Sequence, residues 1–334
     1  MAMISLGDLA QSFMLRRQNT DLKSDLQRLS SELTTGNAVD TGRQVGGDYS
    51  PLAGIDASLS RLQGYKSTTS EAALLTGAMQ TVLNTVESMT STLGPALLAA
   101  SSGTTTSQVN AISAEARQKF ETAVALYNTD LAGRSLFAGV ATDRVATSDA
   151  ETLLALLETE IVGAISGADV ASRVTNWFNS PTGYATSGYL GGNPLAPVSV
   201  APGDTADLGF TAADAGIRDT LKGLAMAALL DRGALAGNAP ARADLARRAG
   251  ESLVNSATVR ADMSARLGTV EAQIEAASVR NGAETTALQM ARNGIMAVDP
   301  YETASKLEAT RQQLETLYTL TARISRLSLV DFLR

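Results

Sequence analysis

Six apolar residues, Leu75, Met79, Val82, Val86, Met89 and Leu93, follow one another at steps of 4, 3, 4, 3 and 4. That rhythm places all six on one helical face and is the spacing of a coiled-coil seam. The helix carrying it extends over about 52–100, with Pro51 well placed to open it. At the rise of an α-helix it is roughly 75 Å long, too long for a compact domain and suited to a rod. The same spacing governs both ends of the chain. Leu15, Leu22 and Leu29 recur every seventh residue, with Leu26 and Leu33 on the same face, until Gly36 stops the helix. A third helix, after a turn in "SSGTTTSQ" (101–108), carries Val109, Ile112, Ala116, Phe120, Ala123, Tyr127 and Leu131. Near the other end, Met263, Leu267, Val270 and Ile274 step by 4, 3 and 4, and "RNG" and "DP" at 292–300 mark a break. A final helix from about Tyr301 bears Leu307, Leu314, Leu317, Ile324 and Leu327 and continues through Leu329 and Phe332.

The middle reads differently. "ETLLALLETEIVGAI" is a short helix, and Val198 and Val200 around "APGD" predict a small β-hairpin. A helix over about 212–232 closes this segment, and "GALAGNAPAR" has the composition of a linker. The expected fold is therefore mainly α. The N- and C-terminal thirds form a long-helix coiled-coil rod, and a small α+β domain is inserted at its tip. The expected segments are 1–45 (assembly helix), 46–145 (rod), 146–238 (inserted domain), 239–299 (rod) and 300–334 (assembly helix).

Composition removes whole classes of chemistry. The chain has 334 residues with no cysteine and no histidine. Disulfides, thiolate metal sites and histidine-based acid–base catalysis are excluded. A net charge of −7 argues against nucleic acid or an anionic membrane as partner. There is no phosphate-binding loop and no dinucleotide fingerprint, so no cofactor or metal is expected. The glycine pairs in "VGGDYS" and "LGGNP" read as turns. Asp40, Asp48 and Asp56 lack the spacing of a cation loop and suit helix starts or linkers. Trp177 and Phe178 read as core of the inserted domain before they read as a ligand anchor. The chain is not expected to be an enzyme. "MAMISLGDLAQSFMLRR" lacks the layout of a cleaved secretory signal, and no apolar run reaches the roughly 20 residues of a membrane span.

The terminal stripes are the informative feature. Two helices carrying a few leucines each bury too little surface to offset the entropy of ordering them. Their natural completion is further copies of the same ends. The expected assembly interface is thus Leu15, Leu22, Leu26, Leu29 and Leu33 with Leu307, Leu314, Leu317, Ile324, Leu327, Leu329 and Phe332.

Three stretches carry a resemblance. "DPYETASKLEATRQQLETLYTLTARISRLSLVDFL" is similar to the C-terminal pattern of the flagellin-like axial proteins of bacterial flagella. "QNTDLKSDLQRLSSELTTGNAV" resembles their N-terminal heptad helix and its Leu-Ser turn. "NTDLAGRSLFAGVATD" (128–143) looks like the N-x-x-x-x-G-x-x-L-F-x-G turn of the hook–filament junction proteins (hook-associated protein 3), and the chain's ending "SLVDFL" also resembles theirs. Together they span roughly the first 140 and last 90 residues. In place of the family's D-D-P run stands "GGDYSPLAG". The resemblance implies termini that order only on assembly, stacking into concentric helical tubes around an export channel. It implies export through the flagellar type III route to the extracellular flagellum, without a cleaved signal. The partners it implies are further copies of the chain, a neighbouring hook-associated protein on the hook side, flagellin on the filament side, and an export chaperone on the C-terminal helix. A filament flagellin is the alternative within this class. A non-flagellar coiled-coil scaffold is the alternative outside it, and recovery from the medium or from sheared flagella separates the two.

Overall fold

The computed structural model describes the backbone of residues 6–102 and 106–332 and the side chains of 10–102 and 106–324. It is mainly helical, with four short strands among the described residues. In order, the elements are α1 (Leu6–Thr35), α2 (Thr41–Gln44), α3 (Ser50–Ser102), α4 (Thr106–Tyr127), β1 (Asp130–Leu131), β2 (Arg134–Ser135), α5 (Ala150–Glu160) and α6 (Gly167–Asn179). A π-turn (Tyr184–Gly188), β3 (Val198–Ala201), β4 (Asp204–Ala206), α7 (Ala215–Asp231), α8 (Ala239–Asn255), α9 (Ala257–Met296) and α10 (Pro300–Phe332) complete the chain. The three longest helices, α3, α9 and α10, have 53, 40 and 33 residues. Threonines are frequent in α3 and α10, and many return their hydroxyl to the carbonyl four residues back, as Thr76 does to Ala72 and Thr316 to Gln312. Local bonding of this kind lets a threonine-rich segment remain helical.

The chain forms two compact units, one of residues 1–62 and 283–334, the other of 63–282. In the second, the stripe read from the sequence is buried: Leu75, Met79, Val82, Val86 and Leu93 are all at most 7% exposed. It meets the apolar face of α4 (Val109, Ala116, Phe120, Ala123, Tyr127) in one large core. At the centre of that core lies α7, buried without interruption from Leu224 to Leu230. A helix apolar on every side must be surrounded, and α7 is, by α4, α5, α6 and α8. The expected inserted domain, 146–238, therefore shares a core with α3, α4 and α8, because the α7 run needs more cover than α5 and α6 alone provide. Trp177, Phe178 and Tyr184 form an aromatic cluster within it, with ring centroids 5.1 to 6.1 Å apart.

One local expectation needs correction. α4 ends at Tyr127, and Leu131, expected on its stripe, stands in β1. The expected turn at 101–108 contains residues 103–105, which lie outside the described residues. The predicted hairpin at 198–206 is present as antiparallel β3 and β4. It lies on α9, where Gln273 Nε2 donates to the Thr205 carbonyl at 2.9 Å and Asn281 Nδ2 to that of Val200 at 2.8 Å.

Candidate assembly surface

In the first unit the two ends of the chain meet. α1 leaves its helix at Gly36, and α9 leaves its own at Met296. The two connectors then pair through an antiparallel bridge between Asn37 and Ala297. Ala38 N–H donates to the Met296 carbonyl at 2.8 Å, and Val298 N–H to that of Gly36 at 3.0 Å. Gln44 Nε2 adds bonds to the carbonyls of Ile295 (3.2 Å) and Ala297 (2.9 Å). Asp299 then opens α10, its Oδ1 accepting from the N–H groups of Tyr301 and Glu302. Free N–H groups at a helix start are satisfied by such a carboxylate. α1 and α10 leave this joint side by side and pack along their leucine stripes.

The packing is incomplete. Leu29 (4% exposed) and Leu317 (5%) are buried. Leu15, Leu22, Leu26, Leu307, Leu314 and Ile324 are only half-buried. Leu33, expected on the seam, is instead 39% exposed. In the last turn of α1 the inward position passes to Glu32, whose carboxylate accepts from Val39 N–H (3.2 Å) and pairs with Arg28 (3.0 Å). The side chains of Leu327, Leu329 and Phe332, and hence most of "SLVDFL", lie outside the described residues. Phe13, Met14, Tyr318 and Leu320 are exposed on the same two helices. The joint itself, with buried Glu32, Ala38 and Thr303, was not among the expected site residues, because its bonds join positions some 260 residues apart in the chain.

The candidate aspartates take structural roles. Asp40 caps α2 by accepting from Arg43 N–H at 3.0 Å. Asp48 accepts from Ser50 N–H at 2.9 Å, and the Ser50 hydroxyl together with this N–H holds its carboxyl below the usual range. Asp56 pairs with Arg292 at 2.8 Å. Among the described residues no cluster of acidic side chains could hold a metal ion, and no helix is long and apolar enough to cross a membrane.

The turn at 128–139 resolves into separate physical tasks. Asn128 Oδ1 accepts from Thr147 N–H at 2.7 Å while its Nδ2 donates to the Thr147 carbonyl at 3.0 Å. β1 and β2 join through Ala132 (φ 53°) and Gly133 (φ 78°), both left-handed, as a two-residue hairpin demands. Leu136 and Phe137 point into the core. At Gly139 a Cβ would strike the Asn193 carbonyl, so only glycine allows the two loops to touch. Burial raises the hydroxyl pKa of both Tyr127 and Tyr184. Tyr184 donates to the Ala212 carbonyl at 2.9 Å, and both tyrosines serve packing.

Residues 253–333 match the family model of the bacterial flagellin C-terminal helical region. That stretch takes in the end of α8 and all of α9 and α10. No curated protein matches the chain. A solved structure from Vibrio parahaemolyticus, assigned as a flagellar hook-associated protein, is similar at 14% identity and a TM-score of 0.39, over 70% of this chain and 94% of that one. At that level the likeness fixes neither fold nor function. The chain is flagellin-like in its C-terminal helical region.

Proposed function

We propose that the chain is a structural, non-catalytic subunit of the bacterial flagellum, placed at the junction between hook and filament. The observation that carries this reading is the coincidence of two facts on α10. The helix lies inside the flagellin-like match, and its leucine stripe is only half-covered by α1. In this reading the segments 1–45 and 300–334 are the assembly elements. Leu15, Leu22, Leu26, Leu29, Leu33, Leu307, Leu314, Leu317 and Ile324 form the interface, continued by Leu327, Leu329 and Phe332. Other copies of the chain complete the seam. A hook-associated protein lies on one side, flagellin on the other, and an export chaperone holds the C-terminal helix before assembly. The subunit works outside the cell and leaves by type III export. The resemblance of the turn at 128–139 to that of the junction proteins is what supports the junction over the filament in this reading.

Electron microscopy of a deletion strain, with flagellin measured in the culture supernatant, tests the placement. A junction subunit leaves hooks without filaments and flagellin monomers in the medium. Normal filaments in the deletion strain, or this chain found along their whole length, would overturn the junction and leave the filament subunit or an unrelated scaffold.

A further inference from the structure

Helix α6 carries complementary features at its two ends. Just before it, Val162 and Ile165 are 72% and 81% exposed, on a tight turn whose other apolar members, Ile161 and Ala164, pack on the core. That turn is rigidly held. Arg173 Nη1 donates to the carbonyls of Glu160 and Val162, each at 3.2 Å, and its Nε pairs with Asp169 at 2.9 Å. Two branched side chains thus project from a fixed backbone, beside the exposed Glu160 carboxylate, which joins no salt bridge among the described residues.

Just after α6 lies a pocket of about 170 Å³ lined by Phe178, Pro181, Tyr184, Ala185, Ala213 and Arg218, among others. The pocket is half open to solvent, and its volume is of the size of a branched aliphatic side chain. Arg218 brings a positive charge to its wall, and its Nε is buried without a hydrogen-bond partner. An orphaned buried donor is costly and is relieved by an incoming acceptor. Projection and pocket are separated by the 13 residues of α6, or about 20 Å. Neither can reach the other within one chain.

We propose that these are the two halves of a head-to-tail contact between copies of this chain. Ile165, with Val162 beside it, enters the pocket at the C-terminal end of α6 in the next copy, and Glu160 meets Arg218. A contact that joins two different patches continues from copy to copy into rings or helical stacks, whereas a two-fold contact stops at a dimer. This surface belongs to the second unit and is separate from the α1–α10 seam, so it holds or fails independently of the flagellar placement.

The absence of native cysteines allows a direct test. The full chain carrying both Ile165→Cys and Ala185→Cys is oxidised mildly and run on a non-reducing gel. Within one chain the two thiols are far beyond the roughly 7 Å Cα separation a disulfide spans. The expected result is a ladder of dimers, trimers and higher species in the double variant alone. Adding Glu160→Arg or Arg218→Glu slows the ladder about twofold to fivefold, as for a partly exposed ion pair, and combining the two restores it. A double variant that cross-links no further than either single variant would overturn the proposal, as would dimers formed equally by Ile165→Cys alone. A ladder from a chain that never reaches flagella would uphold this contact and sink the flagellar placement. Incorporation into flagella without a ladder would do the reverse.

Discussion

The two units use one sequence rhythm to different ends. In the second, the apolar stripe of α3 is buried in one core with residues of α4, α7, α8 and α9, and its leucines vanish from the surface. In the first, the stripes of α1 and α10 have chiefly each other: of the nine expected seam residues whose side chains are described, six remain half-buried and Leu33 is exposed. A helix pair covers one side of each stripe, whereas a bundle covers all of it. Heptad spacing therefore reports which face is apolar. How completely that face is covered depends on how many neighbours stand around it.

The sharpest way to break this contrast is a charge on either helix of the α1–α10 seam. Leu22→Asp or Leu317→Asp is expected to abolish incorporation into flagella, because a carboxylate at Leu22 would be buried once neighbouring copies close the surface and one at Leu317 already lies buried against α1. The free chain should keep its second unit intact. Trp177 is the only tryptophan and is buried in that unit, so its fluorescence reports the unit's state. Loss of the native tryptophan signal in either variant would show that the units are not separable in this way.

Truncations compare the two cores directly. Leu224→Ala, at a fully buried position of α7, should lower stability by about 2–5 kcal/mol. Leu22→Ala in the free chain should cost about 1 kcal/mol, since only part of that side chain leaves water. Urea titrations followed by tryptophan fluorescence for the first and by far-UV circular dichroism for the second give both values. Equal costs would mean that the α1–α10 pair is already a finished core.

A smaller effect is expected at Asn128. Replacing it with Ala removes all three bonds to Thr147 and leaves a buried N–H without a partner, at a cost of about 1–3 kcal/mol. Thermal melting that matches the parent chain would remove the structural account of the asparagine in the 128–139 turn.

The smallest effect is electrostatic. The Thr152 hydroxyl and N–H hold the Asp149 carboxyl below its usual range, and the Arg232 guanidinium does the same for Glu158. Each group is more acidic folded than unfolded. Its stabilisation is therefore present above the unfolded value near pH 4 and is lost as pH falls through the folded one. The second unit should weaken below about pH 4, and Glu158→Gln should flatten that dependence slightly. An acid titration of tryptophan fluorescence checks both.

Much of this architecture is legible from residue spacing. The stop at Gly36, the start of α3 at Ser50 and Pro51, the α3 stripe and the hairpin around "APGD" follow from local rules of helix ends, periodicity and turn chemistry. The features that escape such reading depend on distant partners or unusual backbone. α7 looks like one more apolar helix, since an unbroken run from Leu224 to Leu230 has no face to announce what surrounds it. The β1–β2 hairpin is hidden because Ala132 takes a left-handed conformation usually left to Asn, Asp or Gly. Pro95 sits within α3, next to the close approach of Gly94 and Gly250, where spacing alone gives no warning. Among the seam residues, the leucine face was legible. Glu32 was not, because its burial depends on Val39 N–H folding back across the joint.

The central claim is that the α1–α10 seam is left unfinished in one chain and is completed by others. Amide hydrogen exchange of the full chain, measured as a verified monomer and again after assembly, tests it most directly. The account predicts rapid exchange along α1 and α10 in the monomer beside slow exchange in α7, with strong protection of both terminal helices on assembly. Terminal helices already as protected as α7 in the monomer, or unchanged on assembly, would contradict it.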